Sequence, residues 1–363
     1  MGNPSRTRRS PDISVGHATQ VSNQIPSEKV QFSQLLARYS EFSSRLEIPC
    51  RLLDIDVTNC GRSDLRKTHT RGRGAWPGVL PLCMNGIEPY ACPMTSHQQL
   101  HRSALLVGEA TLASLAETRV ILFGVGGVGS WCAEALIRSG IGHLTVVDSD
   151  LVCVTNLNRQ LQATRATIGQ PKVAVLRDRL HAINPDAVVE ALDMPYTPTT
   201  RDQFNLAAYD YVLDAIDSLA NKVDLIATAL RTDTTLFAAM GAACKLDATA
   251  VRAASIWDTG GCPLARLVRK ELRRRGIADH FQCVYSEEVQ PGFEIDSACG
   301  TDACCCPPRH DAGGNPVATD TWCRKKARIN GSSVHVTGTF GFVLAGLVLQ
   351  DVHTRAGGAT RSP

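Results

Sequence analysis

The sequence predicts an α/β protein with a doubly wound, mostly parallel Rossmann-like sheet and helices on both faces. Two observations lead to this fold class. Short apolar runs with strand character alternate with helical patterns between residues 119 and 239. The first run ends in the turn Gly124-Val125-Gly126-Gly127-Val128-Gly129, which is typical of the strand, turn and helix that bind a nucleotide. Ligands of such sheets bind beyond the carboxyl ends of the strands.

The elements of the nucleotide core, residues 101–240, follow in order. A helical lead-in over 101–117 comes before five strands, expected at 120–123, 143–147, 188–192, 211–213 and 235–239. Unbroken apolar runs of this length suit strands that are buried on both faces. Helices are expected at 130–139, from Pro171 to Asn184, and at 218–230, because apolar residues recur there every three or four positions.

Beyond Gly241 the pattern changes, and we expect a C-terminal substrate-binding extension over 241–353. A strand is expected at 251–258 and a basic helix at 264–277. Residues 286–331 have loop character and include an apparent insertion at 299–330. An apolar helix at 334–352 should pack on the sheet, with a disordered tail at 354–363. Residues 1–100 are expected to be a poorly ordered extension with one amphipathic helix near 29–46.

Composition limits the function classes. A length of 363 residues with 44% hydrophobic content suits a globular enzyme, and a net charge of +3 is too small to indicate a nucleic-acid partner. The 14 cysteines are interpreted as mostly reduced thiols, because no secretory signal precedes them. The best membrane candidate, 340–349, is too short, so we expect no membrane insertion. A cytoplasmic location is predicted; a mitochondrial transit peptide stays open, although prolines interrupt it.

Charged residues that follow the glycine turn in the chain limit the kinds of nucleotide that the site can bind. Asp148 and Asp150 follow about twenty residues on, where a carboxylate binds ribose hydroxyls, but this pattern fits NAD, FAD and ATP alike. Arg159 and Lys172 add two cations, which suit a triphosphate whose charge grows as it is cleaved. Asp217, just past a strand end, could hold the accompanying Mg²⁺.

The segments GVGGVGS, VVDSD, NLNRQ, IGQPK and DAIDS, in this order, resemble the ATP-binding core of the ubiquitin-activating-like (ThiF-type) adenylating superfamily. This resemblance implies ATP and Mg²⁺ as cofactors and a homodimer. It implies that Arg102 enters the neighbouring subunit's site and that Asp217 is associated with magnesium. The resemblance assigns Asp150, Asn156, Arg159, Gln160 and Lys172 to ATP. Together with the glycine turn and Asp148, the predicted ATP-binding residues are Gly124, Gly126, Gly127, Gly129, Asp148, Asp150, Asn156, Arg159, Gln160 and Lys172.

The C-terminal half is similar to the tRNA threonylcarbamoyladenosine dehydratase branch, through the segment from MGAACKLD to LRRRGI and the motifs YSEE and TGTFGF. The resemblance implies adenylation of the threonyl carboxylate of the modified adenosine beside the anticodon, followed by ring closure. It covers about 250 residues; the first hundred residues and 299–330 depart from it. The basic helix is the candidate tRNA surface, through Arg266, Arg269, Lys270, Arg273 and Arg274.

Three alternatives stay open at this point. The first is adenylation of the C-terminal glycine of a ubiquitin-like or sulfur-carrier protein. Bacterial homologues of that kind carry paired CxxC zinc motifs, and this chain has none, so no zinc is expected. The second is a non-catalytic RNA-binding scaffold of the same fold. The third is an NAD-dependent oxidoreductase, for which no hydride-transfer partner site is visible.

Overall fold

The structure is a computed structural model that describes residues 96–291, 309–310, 316–317 and 330–357. The chain divides into two compact units, Met1–Met84 and Asn85–Pro363, and all described residues belong to the second. The amphipathic helix expected near 29–46 and most of the apparent insertion at 299–330 lie outside the described residues.

A seven-stranded sheet confirms the predicted fold class. Its strands are β1 Arg119–Phe123, β2 His143–Val147, β3 Val188–Leu192, β4 Tyr211–Asp214, β5 Thr235–Ala239, β6 Val251–Ser255 and β7 Gln282–Ser286. They lie in the order β3-β2-β1-β4-β5-β7-β6, and all neighbouring strands are parallel except β6 and β7, which are antiparallel. The five strands expected in the nucleotide core are therefore present, with ends that differ by at most one residue.

In the second half, one strand was missed and two expectations were wrong. Strand β7 was not predicted, and it lies between β5 and β6 although it follows both in the chain. The strand expected at 251–258 ends at Ser255, and Ile256–Asp258 forms a 3₁₀ turn instead. Within the stretch expected to be loop, Arg309–His310 (β8) pairs with Pro316–Val317 (β9). The pairings of β7 join segments that are far apart in the chain, so local periodicity carries no signal for them, whereas β8 and β9 are neighbours in the chain.

Eight α-helices are described: α1 Ser96–Gln99, α2 His101–Val107, α3 Glu109–Glu117, α4 Gly129–Arg138, α5 Lys172–Ile183, α6 Leu219–Ala229, α7 Pro263–Arg274 and α8 Val334–Arg355. The lead-in expected as one helix is broken at Gly108, whose φ of 82° lies in the left-handed region. Helix α8 extends three residues beyond its predicted end, into the stretch expected to be a disordered tail.

Helices cover both faces of the sheet. Because side chains alternate along a strand, Val120 and Leu122 of β1 pack under α3, α4, α5 and α8, whereas Ile121 and Phe123 pack under α6 and α7. Helix α8 lies directly on α4: a Cβ on Gly341 would be 2.5 Å from the Val128 carbonyl oxygen. This close approach holds the C-terminal helix against the turn that carries the glycines.

Helix α8 has the length and apolar composition of a membrane span, contrary to the expectation that no run comes close to one. Nine of its 22 residues are buried, including Phe340, Leu344 and Val348, which belong to the same core as β1. At its end, Asp351 accepts a hydrogen bond from the hydroxyl of Tyr211 at 2.7 Å. Its apolar character is therefore explained by packing on the sheet.

Candidate nucleotide site

The glycine turn follows β1 at the carboxyl edge of the sheet, and its backbone is held from three sides. The Val125 amide donates to Asp148 Oδ2 at 2.8 Å, and the Val125 carbonyl accepts from Gln162 Nε2 at 2.7 Å. The hydroxyl of Ser130 donates to the Gly126 carbonyl at 2.7 Å. Gly124 adopts a φ of 86°, and a Cβ there would be 2.8 Å from the Ala215 carbonyl oxygen. The loop is thus fixed before any ligand arrives.

Asp148 supports this loop through both carboxylate oxygens. Besides the Val125 amide, it accepts the Asp150 amide on Oδ1 at 2.8 Å. Burial raises its pKa, opposed by the charge of Lys172 and by the two amide donors. Asp148 and Asp150 are both partly exposed, and Asp150 Oδ2 contacts Lys172 Nζ. The binding of ribose hydroxyls by a carboxylate at this position stays a prediction.

Lys172 is the buried cation of the site. Its Nζ lies 2.8 Å from Asp150 Oδ2, and only 6% of its side chain is exposed, against 41% for that of Asp150. Its backbone amide also donates to the Asp150 carbonyl at 3.0 Å. Burial alone would lower the pKa of Lys172, but the carboxylates of Asp148 and Asp150 raise it above its ordinary value, so the ammonium stays charged.

The NLNRQ segment lies against the glycine turn, with Arg159 beside Gly127 and Gln160 beside Gly126. Asn156 is buried, and its Oδ1 accepts the Cys153 amide at 3.0 Å. The guanidinium of Arg159 donates to the Thr155 carbonyl at 2.8 Å and to Asn158 Oδ1 at 3.0 Å. Gln160 is 6% exposed, and its Oε1 is a buried acceptor for which the described residues provide no donor. An orphaned acceptor of this kind fits a site completed by a ligand.

The glycines of the turn differ in the space that they face. A Cβ on Gly126 would meet only Gln160 Nε2, at 3.9 Å, so this position opens into the crevice. A Cβ on Gly127 would be 3.2 Å from Arg159 Cγ, and one on Gly129 would be 1.8 Å from the Gly124 carbonyl oxygen. Gly129 is therefore required by packing, whereas Gly126 leaves room for a bound phosphate.

Asp217 follows β4 at the same edge of the sheet and is exposed. Beneath it, the fully buried carboxylate of Asp214 lies 2.8 Å from Lys222 Nζ, which also donates to the Ala239 carbonyl at 2.9 Å. Asp214 Oδ1 accepts the Ile216 amide at 3.0 Å. Lys222 thus ties together the ends of β4 and β5 and shapes the turn that leads to Asp217. An exposed carboxylate oxygen is a ligand type suited to Mg²⁺.

Arg102 lies apart from these residues, on the exposed helix α2. The neighbouring Leu100 packs near Gly140, which precedes the amino-terminal end of β2. A five-residue strand spans about 16 Å, so Arg102 and the glycine turn are at opposite edges of the sheet within one chain. Leu105 and Leu106 of the same helix are 76% and 83% exposed, an unusual exposure for leucines.

The loop after β5 is held against the segment that follows β7. Lys245 is 5% exposed and donates to the carbonyls of Ser286 and Glu288. The carboxylate of Glu288 in turn accepts the Leu246 and Asp247 amides at 3.0 and 2.8 Å. This reciprocal contact fixes the GAACKLD segment, which the sequence analysis quoted without assigning a role to its lysine.

The cations of α7 are not equivalent. The guanidinium of Arg269 donates to the Ile256 carbonyl and to the hydroxyl of Thr259, so this side chain supports the 3₁₀ turn. Arg274 makes two hydrogen bonds to the carboxylate of Glu271, at 2.7 and 2.9 Å. Two of the five cations predicted to bind tRNA are thus hydrogen-bonded within the protein itself, and tRNA binding by the set stays a prediction. Leu267, an apolar residue on the same helix, is 40% exposed.

The arrangement of a fixed glycine turn, a charged buried lysine and a partly exposed carboxylate agrees with the comparison to known proteins. Residues 100–352 match the ThiF family. The chain belongs to this family. The resemblance stated from the GVGGVGS, VVDSD and NLNRQ segments is thereby confirmed, and the ThiF-family match covers both the nucleotide core and the C-terminal extension.

Two curated relatives and one solved structure identify the branch. The chain is 44% identical over 190 residues to the tRNA threonylcarbamoyladenosine dehydratase of Bacillus subtilis, covering 52% of this chain and 75% of the relative. It is 34% identical over 264 residues to the enzyme of the same name from Escherichia coli, covering 71% and 95%. The E. coli dehydratase in complex with ATP is similar in structure, with a TM-score of 0.58, 32% identity and coverage of 72% and 96%.

Several residues that build the site were missed by sequence reasoning. Gln162, Ser130 and Lys222 hold the glycine turn and the strand ends, but each was read as an ordinary helix or loop residue. A buried lysine could be suspected from its place among apolar neighbours in KVDLI, which is the one available signal for Lys222. The absence of zinc, expected because the chain has no CxxC motif, stays a prediction.

Proposed function

We propose that this protein uses ATP to cyclise threonylcarbamoyladenosine in tRNA, near the anticodon, by adenylating the threonyl carboxylate. The observation that carries the proposal is the ion pair of the buried Lys172 and the partly exposed Asp150, at the same edge of the sheet as the glycine turn with its uncovered Gly126. It occurs in a chain that covers 95% of the E. coli dehydratase at 34% identity. The compartment proposed is the cytoplasm.

The chemistry has two steps. The threonyl carboxylate oxygen attacks the α-phosphorus of ATP, a P–O bond forms, and the bond to pyrophosphate breaks. The carbamoyl group then attacks the activated acyl carbon, the ring closes, and AMP leaves with the former carboxylate oxygen. The tRNA loses one water in total. Because the second step is intramolecular, the protein chiefly has to position the reactants and neutralise charge.

Each residue proposed for ATP has a physical role in these steps. Lys172 and Arg159 neutralise the charge that develops on the phosphates, and Asp150 accepts hydrogen bonds from the ribose hydroxyls. The glycine turn presents its backbone to the phosphates, and Gln160 with its orphaned Oε1 supplies a buried acceptor. Asn156 holds the NLNRQ segment in place.

Asp217 is the residue that would hold Mg²⁺ in this proposal, because it is an exposed carboxylate at the end of β4. When bound, the ion screens the negative charge of the triphosphate. Asp214 stays committed to Lys222 and to the Ile216 amide, so its role is to shape the turn rather than to reach the ligand.

We further propose a homodimer in which Arg102 completes the site of the partner subunit. Two features of α2 support this: Arg102 stands at the edge opposite its own chain's glycine turn, and the helix exposes Leu105 and Leu106. Contact with a second chain would cover these leucines and would place Arg102 at the carboxyl edge of the partner subunit's sheet, where the partner's glycine turn lies.

The test is nucleoside mass spectrometry of tRNA that carries threonylcarbamoyladenosine, after incubation with the full-length protein, ATP and Mg²⁺. The expected product is lighter by one water, and its formation should require ATP and release AMP and pyrophosphate. Lys172→Met serves as the inactive control, checked for folding by circular dichroism. Release of pyrophosphate with a carrier protein ending in glycine, and none with tRNA, would instead assign the chain to carrier activation.

A further inference from the structure

Three cations of α7 form one exposed stripe. Arg266, Lys270 and Arg273 are all exposed, and their spacing of four and three residues places them within about 60° of one another around the helix. The buried residues Ala265, Val268 and Leu272 occupy the opposite side, packed over α6. The stripe extends along about 10 Å of helix.

The stripe keeps its positive charge because the helix contains a single acid, Glu271, and Arg274 engages it with two hydrogen bonds. No carboxylate lies within salt-bridge distance of Arg266, Lys270 or Arg273 among the described residues. Arg273 lies over the ring of Trp257, with its guanidinium carbon 5.1 Å from the ring centroid. Trp257 is itself fixed by a hydrogen bond from Nε1 to the Asp279 carbonyl at 3.0 Å. The stacking therefore holds one cation in place without neutralising it.

The stripe begins next to the crevice. A Cβ on Gly241, two residues past β5, would lie 3.5 Å from Leu264 Cβ and 3.6 Å from Cys262 Sγ, at the start of α7. Arg266 also lines an open cavity of about 330 Å³ with Gly261, Cys262, Pro263 and Arg269. The stripe thus leads from the edge of the sheet where β4 and β5 end, away from the nucleotide site, along the outer face of α7.

We infer that Arg266, Lys270 and Arg273 track the phosphate backbone of the tRNA segment next to the modified adenosine, with Arg266 nearest the reacting nucleoside. This inference rests on the proposed function. A polyanionic strand is the partner that unpaired, aligned cations fit, and a helix of this length contacts about three phosphates. Arg269 and Arg274 are excluded from the contact, because the protein engages both.

The consequence is a measurable salt dependence. Each phosphate contact made by a lysine or arginine releases counterions and adds about one to the slope of log Kd against log salt concentration. Loss of the three contacts should therefore reduce that slope by about two to three and weaken binding by about tenfold or more at physiological salt. ATP binding should not change, because the stripe lies outside the glycine turn and Lys172.

The experiment compares two variants with equal loss of charge. In the first, Arg266→Gln, Lys270→Gln and Arg273→Gln are combined in the full-length chain. In the control, Arg138→Gln, Arg177→Gln and Arg231→Gln are combined; these residues lie outside α7, and Arg138 and Arg177 are paired with Glu134 and Asp178. The affinity for tRNA carrying threonylcarbamoyladenosine is measured at four salt concentrations, with ATP affinity and mass-spectrometric product formation alongside.

The stripe variant is expected to show the lower slope and the weaker affinity, with the control near wild type. A single Arg273→Lys change should fall between them, because the charge stays and the stacking on Trp257 is lost. Equal slopes for the two triple variants would overturn the inference, even if the wild type forms the cyclic product. Failure of the wild type to form that product, with the slope difference intact, would instead overturn the proposed function alone.

Discussion

Lys222→Met removes the buried cation that ties the ends of β4 and β5 together. Lys222 and Asp214 are both fully buried, with Nζ 2.8 Å from Oδ2, and the ammonium also donates to the Ala239 carbonyl. Methionine fills a similar volume but leaves the carboxylate buried without its partner, at a cost of about 3–5 kcal/mol in the free energy of unfolding. For a domain of this size, that change lowers Tm by roughly 6–20 °C.

Thermal unfolding followed by circular dichroism measures this loss, with Lys270→Met as the matched control. Lys270 is exposed on α7, so the same substitution there should change the free energy of unfolding by no more than about 0.5 kcal/mol. The double variant Asp214→Asn/Lys222→Met should recover part of the loss, because no isolated charge stays buried. A Tm for Lys222→Met equal to that of the Lys270→Met control would refute the assignment of Lys222 as a structural tie.

Three further predictions concern the turn, the acid range and the partner subunit. Gly126→Ala should fold normally but bind ATP at least about tenfold more weakly in equilibrium titration, because the added Cβ enters the crevice. Gly129→Ala should unfold, because its Cβ would lie 1.8 Å from the Gly124 carbonyl oxygen. For Glu134, burial opposes ionisation, but hydrogen bonds from arginines lower its pKa below its ordinary value. A carboxylate with a lowered pKa stabilises the fold at pH values above its unfolded pKa of about 4.3, and this stabilisation is lost as the pH falls below that value. Denaturant titrations of Glu134→Gln should therefore show a free energy of unfolding about 1–2 kcal/mol lower than wild type at pH 7, and the difference should shrink below pH 4. Arg102→Ala and Lys172→Met chains should each be inactive when expressed alone. When the two are co-expressed, about half of the dimers are mixed and each mixed dimer has one intact site of its two, so about a quarter of wild-type product formation should return. No recovery in the verified mixed dimer would contradict a role for Arg102 across the interface.

The charges of α7 illustrate how far sequence reasoning extends. The pattern of six cations in twelve residues correctly predicted a basic amphipathic helix, because periodicity depends only on local geometry. It could not separate Arg269 from Arg266. That distinction depends on the 3₁₀ turn at Ile256–Asp258. The Ile256 carbonyl and the Thr259 hydroxyl accept hydrogen bonds from Arg269, and Arg266 has no such contact with them.

The sequence alone determined three features: the succession of strands and helices along the chain in the nucleotide core, the glycine turn, and the family. All three depend on residue types and their spacing along the chain. The tertiary structure decided the place of β7 between β5 and β6, the support of the turn by Asp148 and Gln162, and the burial of Lys222 and Lys245. These features join segments that are far apart in the chain. Hydrogen bonding and burial depend on which groups meet in space, and only the folded arrangement fixes that.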